Sequence, residues 1–239
     1  MRAEVFEDAR ALSQAAARHI TQAAQEAVAD HGFFSLVLSG GSSPQGAYGL
    51  IGADPGFPWA RTQLFWGDER CVPAGHPESN RGAALRALGP PAALPRDNIH
   101  PIRGQLSPQE AAQDYEWRLK GFFAQQGRPC WDLLLLGLGP DGHTASLFPD
   151  SPALDETRAW VVPVAAPSHI GPHLPRVTLT LGAINAAARV LFVVSGASKR
   201  PVVERILADR RAAAAQFPAA RVEPGGELLW LLDRAAAGD

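Results

Sequence analysis

Cysteine is nearly absent. The chain of 239 residues has two, Cys71 and Cys130, far apart and in no Cys-x-x-Cys pair. That scarcity argues against a disulfide-stapled scaffold and a thiolate-rich metal site, so both thiols read as free in a reducing compartment. An excess of either charge is lacking as well: 22 Lys and Arg face 24 Asp and Glu, for a formal net charge of −2. The basic footprint of a nucleic-acid binder is therefore missing, although a local basic pocket would be invisible to net charge. Long apolar runs are missing too. No stretch approaches the roughly 18 consecutive apolar residues of a membrane span, and the polar, Ala-rich N-terminus has no apolar run after its basic start. Neither a membrane anchor nor a signal peptide is read, and the cytoplasm is the expected location.

What is present is enough apolar material for a sizeable core. At 46% hydrophobic composition, residues 1–239 are expected to form one α/β domain. Residues 8–30 carry apolar side chains at helical spacing, with Gly32 as a stop. FFSLVLS at 33–39, QLFW at 63–66, WDLLLLGL at 131–138, RVLFVVSG at 189–196 and ELLWLL at 227–232 read as buried strands. Helices are expected at about 44–52, at 107–126 with Ser107 as N-cap and Pro108 first, and at 199–215. Strands alternating with helices imply a mainly parallel sheet. The Pro- and Gly-rich stretches 53–58, 89–95 and 163–175 read as loops, the last of which could rim a pocket. No internal repeat or flexible interdomain linker is visible.

Ligands of open α/β sheets sit beyond the carboxyl ends of the strands, and three such ends are unusual. After FFSLVL comes Ser39-Gly40-Gly41-Ser42-Ser43-Pro44. Glycines allow a tight turn, Ser43 fits an N-cap, and free N–H groups at a helix start suit an anion such as phosphate. An ordinary strand-to-helix turn is the competing reading. It is not a Walker loop, since no Gly-Lys-Ser/Thr follows.

The second end, Gly137-Leu138-Gly139-Pro140-Asp141-Gly142-His143, formally contains G-x-G-x-x-G. Pro140 interrupts the turn into a helix, and the next strand-like run, WVVPV, lacks an acid for a ribose, so a dinucleotide site is not read. His143 is more informative. It sits in a glycine-framed strand end, where a neutral imidazole can take a proton from water; a merely structural or solvated histidine is the alternative.

The third end is Ser195-Gly196-Ala197-Ser198-Lys199-Arg200. Cations at a helix start oppose its dipole, which is tolerable when an anionic ligand lies between them; a solvated basic pair is the simpler reading. Gly67-Asp68-Glu69-Arg70 closes the QLFW strand as pocket groups or as surface. No G-x-S-x-G elbow occurs. His169 and His173 have i,i+4 spacing, but Gly171 and Pro172 between them argue against a helical zinc site.

LVLSGGSSP, FWGDERCVP…HPESNRG and LLLLGLGPDGHTASLFP, followed by SGASKR, stand in an order and at distances that resemble the 6-phosphogluconolactonases of the pentose phosphate pathway. The resemblance covers about residues 5–235. It implies a Rossmann-like, mainly parallel sheet with helices on both faces, like the glucosamine-6-phosphate deaminase fold. It also implies hydrolysis of 6-phospho-glucono-δ-lactone to 6-phosphogluconate, with no metal or organic cofactor and a small phosphosugar lactone as the partner. His143 matches the general base, with Asp141 beside it. Ser39, Gly40, Gly41 and Ser42 fall on the phosphate-side loop, Asp68 in the substrate-binding segment, and Arg70 and Lys199 on the cationic positions. Asn80, Arg81 and Arg176 lie in family-like segments with no contact assigned, and a monomer is compatible with the sequence. A deaminase/isomerase or a non-catalytic sugar-phosphate sensor on the same fold is the alternative. Against the former, Phe148 occupies the place of an acid that takes part in the deaminases' proton transfers.

Overall fold

The computed structural model describes residues 1–89, 94–127 and 130–238. The chain opens with β1 (Arg2–Phe6), after which Asp8 accepts a hydrogen bond from the Ala11 N–H at 2.7 Å and starts α1 (Ala9–His31). Leu12, Ala16, Ile20, Ala23 and Ala27 recur at helical spacing along its buried face, and the alanines let the helix lie close to the sheet. β2 (Phe34–Leu38), α2 (Gln45–Gly52), β3 (Thr62–Trp66), β4 (Asp68–Arg70) and α3 (Asn80–Leu88) follow. Then come α4 (Pro108–Gln126), β5 (Leu133–Leu136), β6 (Val161–Val164), β7 (Arg176–Leu179) and α5 (Leu181–Asn185). The chain closes with β8 (Arg189–Val194), α6 (Arg200–Ala208), α7 (Arg210–Ala213), β9 (Glu227–Asp233) and α8 (Arg234–Ala237).

Six strands form a parallel sheet in the order β1-β9-β8-β5-β2-β3. Every residue of β2 and β5 is buried, as strands covered on both faces require. From β2 the chain moves outward to β3 and then crosses back to β5. The order reverses between β2 and β5, and the crevice over their carboxyl ends is where ligands of such sheets bind.

A second, antiparallel sheet in the order β4-β7-β6 was not legible in the sequence. Gly67 is the crossing point: its N–H bonds Leu38 O in the parallel sheet and its C=O accepts from Leu179 N in the other, at 3.0 and 2.8 Å. GDER is therefore not the frayed end of β3 but the start of a new strand. The loop expected at 163–175 begins two residues later than anticipated, because Pro163 and Val164 belong to β6. β6 is an edge strand, where a proline removes no required ladder bond.

α4 matches its expected bounds and has a capping box, with Ser107 and Glu110 bonded reciprocally. The helix expected over 199–215 is broken: Asp209 takes an extended conformation and caps α7 through the Ala212 N–H at 3.0 Å. The strand expected over 131–138 is only Leu133–Leu136, and β1 and α3 were not anticipated. Of the loop read at 89–95, residues 90–93 lie outside the described residues.

Candidate active site

Three loops leave the carboxyl ends of β2, β5 and β8 and meet β4 and β7 around a cleft of about 240 Å³. Ser39, Gly40, Gly41, Ser42, Asp68, Arg70, His143 and Lys199 all line it, as do Asn80 and Arg176. Asp141 stands behind His143 and touches it, while Arg81 is turned to a different task. Among the described residues no cluster of three or more His, Cys, Asp or Glu side chains is arranged to hold a metal ion.

The loop after β5 builds a histidine–carboxylate pair. His143 Nδ1 lies 2.5 Å from Asp141 Oδ1, and the His143 backbone N–H donates to the same oxygen at 3.2 Å. The other oxygen, Oδ2, is 2.7 Å from His169 Nε2. Half-burial favours the neutral acid at Asp141, but the hydrogen bond and charge of His143, with His169 added, outweigh it and hold the carboxyl well below the usual carboxylate range. An ionised Asp141 makes Nδ1 the protonated nitrogen of His143 and leaves Nε2, which has no partner among the described residues, as the basic one. Gly139 is required for this seating: a Cβ there would lie 2.0 Å from His143 Nδ1 and 2.5 Å from Asp141 Oδ1. The G-x-G-x-x-G pattern thus makes room for an imidazole, not for a pyrophosphate.

Phe148 closes one side. Its ring centroid is 4.8 Å from that of His143 and 5.7 Å from that of His169, and the Arg176 guanidinium lies 5.4 Å from its centre. Phe148 therefore packs among site residues, not inside a helix.

Arg70 and Arg176 are directly opposed in the β4–β7 pairing, so two cations share one face, an arrangement that costs free energy unless an anion intervenes. Arg70 Nη1 donates to Glu78 O at 2.7 Å and lies 3.4 Å from the Glu78 carboxylate, which offsets part of that cost, and Arg176 Nη2 donates to Pro172 O at 3.0 Å. The Nε of each is buried without a partner. Burial, with Arg70 adding to it, lowers the pKa of Arg176, while Asp68 and Glu78 act in the opposite direction; a guanidinium still remains charged.

Asp68 lines the cleft but is already engaged. Its carboxylate accepts from Asn80 Nδ2 at 3.0 Å and from Ser146 Oγ at 2.6 Å. Ala145, in a left-handed conformation with φ 48°, is the turn that brings Ser146 there. Buried Glu69 accepts from the N–H groups of Asn80 and Arg81 at the start of α3, at 2.7 and 2.8 Å, and from Ser79 Oγ at 3.0 Å. Burial raises its pKa and those backbone bonds oppose the rise. Arg81 thus contributes its backbone to the anchoring of α3, and that anchoring holds Asn80 against Asp68 and Gly40.

In the Ser39–Pro44 loop the N–H groups of Gly40, Gly41, Ser42 and Ser43 have no backbone acceptor among the described residues. Gly41 has φ 84°, a conformation suited to glycine. Ser43 does not cap α2. Pro44 occupies the N-cap with a helical φ of −81° and no side-chain bond, so the helix starts one residue later than a Ser43 cap would set it, after a backbone turn from Gln45 N–H to Ser42 O at 3.3 Å. Lys199 immediately precedes α6, while Arg200 turns away to Glu204 at 2.7 Å. Burial lowers the Lys199 pKa and the nearby Asp141 charge opposes it. Asp233, at the end of β9, holds this loop through Ser195 Oγ and the Gly196 N–H.

The sequence left Arg176 in a family-like segment without a contact and weighed His169 only as a zinc ligand; their places here were not anticipated. The signal for His169 was its place in a loop able to rim a pocket. Arg176 needed the β4–β7 pairing, which has no local signature. His173 bonds Pro167 O at 2.6 Å and holds its loop.

Residues 7–230 match the family model described as glucosamine-6-phosphate isomerases/6-phosphogluconolactonase. The 6-phosphogluconolactonase of Synechocystis sp. is 40% identical over 220 residues, covering 91% of this chain and 89% of that protein. The human 6-phosphogluconolactonase is 40% identical over 248 residues, covering 98% and 91%. The solved 6-phosphogluconolactonase of Trypanosoma brucei superposes with a TM-score of 0.86 at 30% identity, over 99% of this chain and 97% of that one. A solved monomeric glucosamine-6-phosphate deaminase shares the fold at 20% identity, with a TM-score of 0.82. A match along nearly the whole chain and relatives at this identity establish that the protein belongs to the glucosamine-6-phosphate isomerase/6-phosphogluconolactonase family.

Proposed function

We infer that this chain hydrolyses 6-phospho-glucono-δ-lactone to 6-phosphogluconate, the lactonase step of the pentose phosphate pathway. The observation that carries the mechanism is the geometry of one cleft: a histidine whose Nδ1 is fixed by a carboxylate shares the lining with two arginines.

His143 Nε2 takes a proton from water as the water oxygen attacks the lactone carbonyl. The negative charge that develops on the carbonyl oxygen is met by the guanidiniums of Arg70 and Arg176, both of which line the cleft. As the tetrahedral intermediate collapses, the bond from the carbonyl carbon to the ring oxygen breaks, and His143 returns its proton to that oxygen. The new carboxylic acid then ionises to solvent. The phosphate is held by the free N–H groups of Gly40–Ser43 with Lys199, a set of donors and one cation suited to a dianion. Anchoring the remote end positions the carbonyl for attack. Asp68 shapes the wall through Asn80 and Ser146.

Phe148 beside His143 argues against sugar-phosphate deamination, because it places a ring where a second proton-transfer group would be needed. One buried apolar cluster running from Leu12 to Ala236 supports a single domain. No helix among the described residues is long and apolar enough to cross a membrane, and two free thiols suit a reducing cytoplasm. A coupled assay with freshly made lactone, corrected for spontaneous hydrolysis, tests the reading. Rapid turnover is expected, with no ammonia from glucosamine 6-phosphate. Ammonia release by the same preparation would replace it with the deaminase assignment.

A further inference from the structure

Asp141 carries two histidines, and only one of them faces the cleft. His169 is outside the cleft, its side chain 48% exposed, on the strap between β6 and β7. The strap is tied down by His173 to Pro167 O and by Arg176 to Pro172 O. The next residue, Ile170, lines the cleft.

A carboxylate rotates readily about its last bond unless both oxygens are engaged. Asp141 Oδ1 is held by the His143 ring and backbone; among the described residues Oδ2 is held by His169 alone. We propose that His169 is a positioning residue: by donating Nε2–H to Asp141 Oδ2 it locks the carboxylate plane that orients His143, and it draws negative charge away from the His143 side. The proposal rests on the lactonase reading for its kinetic consequence but not for its structural one. Other charged groups face the same place. Asp150 and Arg205 line a cavity with Asp141 and His169 on the side away from the cleft, with Gln216 as a neutral polar neighbour. Lys199 acts on Asp141 by charge, and Phe148 adds only a ring edge. Among these groups only His169 bonds Oδ2.

Losing His169 has two expected effects. The His143 ring is less well aimed, so kcat falls about three- to tenfold while KM changes little, as misorientation rather than lost binding requires. The carboxylate, no longer shared, stabilises protonated His143 more strongly, so the acid limb of the kcat/KM profile moves to higher pH by about 0.3–1 unit. His169→Gln retains a neutral N–H donor and restores both.

The test measures the ring signals of His143 in the resting enzyme by long-range proton–nitrogen correlation as pH is varied. Wild type, His169→Ala and His169→Gln are compared, alongside kcat, KM and pH profiles on the phosphorylated lactone. A higher His143 midpoint in His169→Ala, reversed in His169→Gln, is the expected result. An unchanged midpoint and kcat in folded His169→Ala would overturn the proposal, as would a Gln variant that behaves like Ala. If the midpoint moves but the wild type fails to turn over the lactone, the functional reading fails and the positioning role stands.

Discussion

Two aspartates, Asp132 and Asp141, each hold histidine at opposite ends of the parallel sheet. At the amino ends of β2 and β5, His31 Nε2 lies 2.9 Å from Asp132 Oδ1. Asp132 Oδ2 accepts from the Ser35 N–H and Oγ at 2.8 and 2.7 Å. At the carboxyl ends, His143 pairs with Asp141 at 2.5 Å. The composition of the first pair, Ser-His-Asp, looks more like a hydrolase. Yet Ser35 Oγ donates to the aspartate and not to the histidine, and the remaining His31 nitrogen is buried without a partner. That pair ties α1 to two strands. The second keeps one imidazole nitrogen without a partner among the described residues, beside a loop of N–H groups and two guanidiniums that line the same cleft. Position on the sheet, not residue type, separates a brace from a base.

The largest expected break of this comparison is in turnover. His143→Ala should lower kcat by about 10²–10⁴, the usual worth of a positioned acid–base group. His31→Ala should leave kcat within about twofold and instead destabilise the fold by about 1–3 kcal/mol, since a buried carboxylate loses a partner. Steady-state kinetics and urea unfolding on both variants read the contrast; a large kcat loss in His31→Ala would end it.

Gly139→Ala tests seating with the chemistry intact. The added methyl drives the His143 ring out of place, and displacement by about 1 Å costs roughly 100-fold. Retained kcat in that variant would show that the ring tolerates a different pose.

Lys199→Ala separates the two cationic ends of the cleft. Loss of a charge-assisted hydrogen bond of about 1.5–3 kcal/mol lowers kcat/KM on the phosphorylated lactone roughly ten- to a hundredfold. Unphosphorylated gluconolactone should be affected little. Equal losses on both substrates would move Lys199 to the carbonyl.

The smallest effect is on stability against pH. Asp141 is held below its unfolded range, so its contribution is present above about pH 4 and is lost as pH falls toward the folded value. Asp141→Asn should therefore show a shallower fall of Tm on acidification than wild type. An unchanged slope would mean that half-exposure screens the interaction.

Much of the parallel sheet was legible because fully apolar runs such as LLLL bounded by glycines have few alternatives. The second sheet was not. DER and RVTL are too short to show a period, and their pairing is between segments about a hundred residues apart. Ser43 misled because a serine before a proline is a common cap, while here the turn closes through backbone alone. His143 could be singled out from the glycines around it and Asp141 set beside it, but their contact could not be read, since residues two apart touch only in a particular turn.

The order of apolar runs and their punctuation by glycine and proline were enough to determine a mainly parallel sheet and the three loops that end at the cleft. Burial on both faces leaves such runs one arrangement. Tertiary structure alone decided which polar groups meet. It set Arg70 opposite Arg176, brought His169 to the far side of Asp141, and made His31 a brace, because these contacts depend on strand register and on a strap folding back, neither of which is written in any local pattern.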